Sequence, residues 1–254
     1  MSRYIKRFSY YIVVMPYNFK GKVALVTGAS QGIGKSILLT LAEEGCDVIL
    51  HYFKSTEEIK KTVQEIKLTG SKVSLYSSDL TKENEVKKMF HKIRNKHKKL
   101  DILINNVGNY LKKSLDKLTV KEWHEIINSN LNSTFYCTYH ALPLLRKSKS
   151  GRIINIGYAS SGQMLAKPNI LPYQIAKTGI LLMTKGFALN EAKNKILINV
   201  ISPGVMKNSI QFPKKEIPLK KKGSLKDLSK LVIQTIQSDY MTGAHIEYAG
   251  GFNL

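Results

Sequence analysis

The stretch Val23-Ala24-Leu25-Val26-Thr27-Gly28-Ala29-Ser30-Gln31-Gly32-Ile33-Gly34 constrains this chain more than any other. Four consecutive apolar residues between Gly21 and Thr27 predict a short strand buried on both faces. The glycines follow at once, and Lys35 to Glu44 then repeats at helical period until Gly45. Strand, glycine-rich turn and helix in that order aim backbone N–H groups and a helix N-terminus at one spot, which suits a bound phosphate. Gly28 permits the tight turn, Gly32 lets the backbone approach a pyrophosphate, and Gly34 lets the helix pack closely on the strand. Glycines alone are weak support; the strand before them and the helix after them supply the context.

The same alternation runs on. Asp47–Tyr52, Val73–Ser78, Leu100–Ile104, Gly151–Gly157 and Ile196–Ile201 read as further strands, separated by helical periods. That order predicts an α/β fold: one doubly wound domain, with a parallel sheet covered by helices on both faces. Ser55 with Glu58, and Thr119 with Glu122, have capping-box spacing and start two of the helices. Asp79, followed by Leu80, suits the start of the helix over 82–97. A helix over 118–132 continues through Asn130, an unfavourable residue inside a helix because its side chain competes for the backbone.

Tyr173 and Lys177 stand four residues apart at the start of a predicted helix, so both side chains lie on one face about one turn apart. An ammonium near a phenol favours phenolate and lowers its pKa from about 10. A tyrosine so tuned can give a proton to a carbonyl oxygen near neutral pH.

Taken together, the Thr-Gly-x-x-x-Gly-x-Gly turn, Asn105-Asn106-Val107-Gly108, the Tyr-x-x-x-Lys pair, Ser202-Pro203-Gly204-Val205 and the last strand near Thr242–Gly251 resemble the short-chain dehydrogenase/reductase family. In style they are similar to its 3-oxoacyl-acyl-carrier-protein reductases. The resemblance covers about residues 19–254. It implies a seven-stranded Rossmann-type sheet with a nicotinamide nucleotide at the carboxyl ends of the strands. It also implies an NAD(P)-dependent reductase of C=O to CH–OH, and a homodimer or homotetramer built on the helices around Asn130 and Tyr173.

Residue by residue, the resemblance implies Gly28, Ser30, Gln31, Gly32, Ile33 and Gly34 at the pyrophosphate, and Asp79 and Leu80 by the adenine. Asn106, Val107, Gly108, Pro203, Gly204 and Val205 fall beside the rest of the cofactor, together with Tyr173 and Lys177. Asn130 matches an asparagine whose main chain holds a relay water. A serine normally holds the substrate carbonyl. Counting forward along the fifth strand gives Tyr158; counting back from Tyr173 gives Ser160, with Ser161 adjacent. Ser160 is the expectation, with Tyr158 as the alternative. Asn208-Ser209 stands where the family has a threonine.

At the end of the second strand an acid selects NAD. This chain has His51-Tyr52-Phe53-Lys54-Ser55-Thr56 and no carboxylate before Glu57. Lys54 and Ser55 suit a 2′-phosphate, so NADP(H) is expected over NAD(H). Gln31 argues the other way, because relatives preferring NADP often carry Arg or Lys there.

Substrate readings differ. A 3-oxoacyl thioester of fatty-acid biosynthesis, on an acidic acyl carrier protein, is the first. A sugar, steroid, xenobiotic or pteridine carbonyl is the alternative, although pteridine reductases tend to carry Arg in place of Gly32 and Asp in place of Tyr158. A non-enzymatic nucleotide-binding protein on this fold is the third. Residues 206–223, rich in Lys and Pro, read as a substrate lid, with Ile210, Phe212, Ile217 and Leu219 suited to an acyl chain.

The formal charge is +22, from 40 Lys and Arg against 18 Asp and Glu. It suits solvated helix faces or an acidic partner; no aromatic-basic stacking module points to specific nucleic-acid binding. The two cysteines, Cys46 and Cys137, form no disulfide framework and fit a reducing, cytoplasmic setting. The six histidines lack metal-ligand spacing. Residues 1–18 are basic, aromatic and acid-free, and too short in apolar sequence to span a membrane. They are expected to be a disordered extension, with Met15 an alternative start.

Overall fold

The computed structural model describes residues 17–54, 57–163, 165–209 and 212–252. Ser55, expected as a helix cap and nucleotide ligand, lies outside the described residues, as do Ile210 of the lid and residues 1–16 of the extension. Tyr17 already belongs to the fold. Its ring packs edge-on to Phe19 at 5.1 Å and lies under the Arg152 guanidinium at 4.9 Å.

Seven strands form one parallel sheet: β1 (Val23–Val26), β2 (Asp47–Tyr52), β3 (Val73–Ser77), β4 (Ile102–Asn105), β5 (Arg152–Ile156), β6 (Leu197–Pro203) and β7 (His245–Tyr248). Their order is β3-β2-β1-β4-β5-β6-β7. The chain winds outward from β1 to β3, then returns to lay β4 on the other side of β1, pairing Val26 with both Leu50 and Ile104. The turns after β1 and β4 therefore leave the sheet side by side and diverge, which opens a crevice at the carboxyl ends.

Helices cover both faces. On one lie α1 (Gly32–Glu43), α2 (Glu57–Leu68) and α7 (Leu225–Gln237); Ile37, Leu41, Ile66, Val232 and Ile236 pack there on Ala24, Val26, Leu50 and Ile104. On the other lie α3 (Glu83–His97), α5 (Ser133–Ser148) and α6 (Leu171–Glu191); Phe90, Ile93, Ala141 and Leu145 pack on Leu25, Ile49, Leu103 and Ile153. In the central strands β1 and β4 successive residues point to opposite faces and both faces are buried, so they read as apolar runs rather than alternating ones, whereas the edge strands β3 and β7 are partly exposed. Cys46 and Cys137 are free and buried.

The single helix expected over 118–132 is interrupted. α4 (Val120–Ile127) starts with the Thr119–Glu122 capping box, then opens into a π-turn over Asn128–Asn132 before α5 begins. The side chains at the turn explain it. Ser133 Oγ donates to the Ser129 carbonyl at 2.7 Å and Thr134 Oγ1 to the Asn130 carbonyl at 2.7 Å, satisfying oxygens that the wider turn releases.

The segment read as a lid is closed at its neck. Met206 bridges Gly223, Gly223 N donates to the Val205 carbonyl at 2.9 Å, and Met206 and Ile217 are buried. Among the described residues no helix is long and apolar enough to cross a membrane.

Candidate active site

The glycine turn is held from two sides. Asn106 Nδ2 donates to the Thr27 and Gly28 carbonyls at 2.9 and 3.1 Å, and the amides of Asn106 and Val107 donate to Thr27 Oγ1 at 2.9 and 3.2 Å. Gly28 and Gly32 have φ of +61° and +58°, a region side chains disfavour. A Cβ on Gly34 would lie 2.5 Å from the Gly28 carbonyl oxygen, so no other residue fits there. A Cβ on Gly32 would lie 2.9 Å from Asn208 Nδ2, which brings Asn208 to the cradle as the sequence suggests.

The other support is His51, near the end of β2. The structure turns it inward: Nδ1 accepts from the Gly28 amide at 3.1 Å and Nε2 faces the Ser78 carbonyl at 3.1 Å. The bond from Gly28 puts the proton on Nε2. Burial pulls the imidazole from 6.5 down to about 4, the Ser78 contact opposing it. A protonated Nδ1 cannot accept from Gly28. The unfolded chain therefore binds more protons between about pH 6.5 and 4, so stability falls as pH drops through that window, by about 3 kcal/mol in total. His51→Asn, which keeps an acceptor and does not titrate, removes that part of the acid loss. Urea midpoints at pH 7 and 4.5 for both proteins measure it; equal acid losses would refute the strut.

Beyond His51, Lys54 is exposed and Phe53 is largely exposed. The nearest following acid, Glu57, pairs with Lys60 at 2.8 Å. Asp79 closes its own turn, Oδ1 accepting from the Thr81 amide and hydroxyl at 3.0 and 2.6 Å, while Leu80 is buried. Gly204 is pressed against β7, its amide donating to the Tyr248 carbonyl at 2.9 Å, and the Pro203 carbonyl accepts from Ala159 N at 3.3 Å.

Tyr173 and Lys177 lie near the start of α6, the ammonium 5.7 Å from the Tyr173 ring centre. Lys177 is buried and donates to the Ile156 carbonyl at 2.8 Å. Burial draws its ammonium down to about 8. Burial, then the neighbouring Tyr158 and Tyr110 phenols, push the Tyr173 hydroxyl above its ordinary value.

Asn130 sits in the π-turn. Its Nδ2 donates to the Asn109 and Ile126 carbonyls at 2.9 and 3.0 Å, and its buried Oδ1 has no hydrogen-bond partner among the described residues. A Cβ on Gly108 would lie 2.2 Å from that Oδ1 and 3.4 Å from Lys177 Nζ. A side chain at position 108 would therefore collide with Asn130 and crowd Lys177, and the glycine lets the two polar groups share one spot.

Two aromatic rings flank Tyr173 edge-on, Tyr110 at 5.1 Å and Tyr158 at 5.4 Å between centres. Ser160 and Ser161 are both buried within a turn. Ser160 Oγ accepts from Lys167 Nζ at 3.2 Å, and Ser161 Oγ donates to the Tyr158 carbonyl. Of the two positions left open by the sequence counts, Tyr158 is the one whose ring meets Tyr173. The contribution of Tyr110 was not legible beforehand, because nothing marks a tyrosine two residues after Gly108.

The model of the short chain dehydrogenases matches residues 22–216. The chain belongs to the short-chain dehydrogenase/reductase family. It is 33% identical to a 3-oxoacyl-acyl-carrier-protein reductase of Staphylococcus epidermidis over 92% of this chain and 99% of that one. It is 31% identical to a D-β-hydroxybutyrate dehydrogenase of Rhizobium meliloti over 91% of this chain and 98% of that one. A short-chain dehydrogenase from Burkholderia cenocepacia, solved in complex with NADP, superposes with a TM-score of 0.86 at 26% identity, covering 93% and 100% of the two chains. As a short-chain dehydrogenase/reductase, the chain is an NAD(P)-dependent oxidoreductase. The crevice at the carboxyl ends fits that nucleotide: a turn where side chains have no room faces Gly108 and the Tyr173–Lys177 face of α6. Among the described residues no group of His, Cys, Asp or Glu could hold a metal ion.

Proposed function

We propose that this enzyme reduces a carbonyl to an alcohol with NADPH, and that its substrate class is the 3-oxoacyl thioester. The observation that carries the reading is the convergence of Tyr173, Lys177 and the orphaned Asn130 Oδ1 on one buried spot beside Gly108. Reduced nicotinamide, when bound, supplies hydride to the carbonyl carbon. Tyr173 gives its hydroxyl proton to the carbonyl oxygen. Lys177 lowers the cost of the phenolate that remains and, with a water beside Asn130, returns a proton to Tyr173. The Tyr158 hydroxyl, in place of the family serine, holds the carbonyl oxygen. Gly28, Ser30, Gln31, Gly32, Ile33 and Gly34 hold the pyrophosphate on the N-terminus of α1. Lys54, with no acid before it on β2, favours the 2′-phosphate.

The thioester reading draws on the Staphylococcus relative and on the lysine-rich surface, which suits an acidic carrier. The two tyrosine rings around Tyr173 favour a second reading, a flat ring carbonyl. Phe135 and Tyr139 on α5 and Leu182 and Leu189 on α6 leave an exposed apolar face for a homodimer. NADPH oxidation is followed with an acetoacetyl thioester, a dihydropteridine and simple diketones, at several salt concentrations, with NADH in parallel. Thioester turnover that weakens with salt and favours NADPH is expected. Activity confined to ring carbonyls selects the second reading.

A further inference from the structure

We infer that Glu247, at the far edge of the sheet, is a positioning residue for the Tyr158 hydroxyl. The inference rests on the reductase reading and on the role of Tyr158 in it. After β5 ends at Ile156, the chain makes a tight turn over residues 157–163. Its base is fixed on β6, Gly157 N donating to the Ile201 carbonyl at 2.8 Å and Ala159 N to Pro203 at 3.3 Å. Its top closes on itself, Ser161 N on the Tyr158 carbonyl at 2.9 Å and Gln163 N on Ser160 at 3.0 Å. To make that turn Ser160 takes φ of +87°, a conformation a serine adopts only when its surroundings impose it.

Glu247 is a residue that imposes it. Ser160 is buried, and its amide donates to Glu247 Oε1 at 3.2 Å. Without that oxygen a buried N–H loses its acceptor, and the strained conformation loses its restraint. Glu247 reaches the turn because β7 pairs with β6 in a register that sets Ser202 opposite Glu247. The neighbouring His245 locks the same corner, its Nε2 2.7 Å from Ser202 Oγ and 3.7 Å from Glu247 Oε1. On the other side of the turn Lys167 bonds Ser160 Oγ and lies over the Tyr158 ring at 5.7 Å. The turn that Glu247 holds begins at Tyr158, whose ring meets Tyr173. Release of Ser160 therefore moves the carbonyl-holding hydroxyl relative to the proton donor, while the nucleotide cradle on β1 and β4 is untouched.

The test compares E247A, E247Q, Y158F and the double variant E247A/S160G in steady-state ketone reduction, with NADPH affinity measured separately. Misplacement of a reacting group by about 1 Å costs up to about 100-fold, so E247A is expected to lower kcat at least about tenfold, approaching Y158F, with NADPH affinity within about twofold. E247Q keeps an acceptor oxygen and stays within about threefold of the wild type. Glycine adopts positive φ freely, so S160G restores most of the activity lost in E247A. A Glu247 that acted directly on substrate would not be rescued by S160G, and one that acted only on overall stability would lower the melting temperature and leave kcat of the folded enzyme unchanged. An active wild type whose E247A variant is unimpaired, or is not rescued by S160G, overturns the inference alone. A wild type that reduces no ketone with either nucleotide removes the reductase reading, and the inference with it.

Discussion

Replacing Tyr173 with phenylalanine lowers kcat/KM for ketone reduction by about three orders of magnitude, the middle of the range for loss of a positioned general acid. The ring stays, so its edge-on packing against Tyr110 and Tyr158 stays, and the fold and nucleotide cradle are undisturbed. The loss falls on the chemical step. Burial and the two neighbouring phenols already push the Tyr173 hydroxyl up, so it holds its proton until a carbonyl oxygen demands it. Steady-state kinetics beside NADPH titration by fluorescence check this. A Tyr173→Phe enzyme that retains more than about a tenth of wild-type kcat/KM would mean that another group donates the proton.

Replacing Lys177 with methionine slows reduction by about two orders of magnitude and leaves the protein at least as stable at pH 7. The stability half follows from burial. The ammonium is pulled from 10.5 down to about 8, so the folded protein holds that proton less tightly than the unfolded chain. Below about pH 8 the buried charge costs on the order of 3 kcal/mol, relieved as pH rises from about 8 to 10.5. Removing the charge gains this, offset by about 1–3 kcal/mol for leaving the Ile156 carbonyl unpaired. The wild-type pH profile carries the same signature with opposite sign for activity. As pH rises through about 8, Lys177 loses the charge that favours the Tyr173 phenolate, and kcat/KM for reduction falls. That limb is absent in K177M. Thermal melts and pH profiles of the two proteins decide it; a wild-type profile flat from pH 7 to 10 would show that Lys177 does not titrate in the working enzyme.

The central strands were legible because buried parallel strands are short apolar runs, and Val23–Val26 and residues 102–104 are such runs. Tyr173 and Lys177 share one helix face because four residues make about one turn. The break at Asn130 was half legible: an asparagine poorly suited to a helix interior stood out, but the π-turn depends on Ser133 and Thr134 hydroxyls turning back onto backbone carbonyls. The role of His51 was not legible, because a histidine at a strand end gives no sign of whether it points outward or inward to the Gly28 amide.

Sequence alone determined what is local or periodic in this protein: the order of strands and helices, the glycine turn where side chains have no room, and the Tyr173–Lys177 pair. Tertiary structure decided which ring stands beside Tyr173: Tyr158 meets it edge-on at 5.4 Å. Forward and backward counts along the chain disagreed between Tyr158 and Ser160, and no local pattern can settle a turn whose conformation is fixed from the other edge of the sheet. The Ser160 amide is held by Glu247, 87 residues away, the Ser161 hydroxyl bonds back to the Tyr158 carbonyl, and Ser160 Oγ accepts from Lys167. Contacts of that separation arise only when β5, β6 and β7 lie side by side, which is the physical reason the shape of this turn could be read only from the fold.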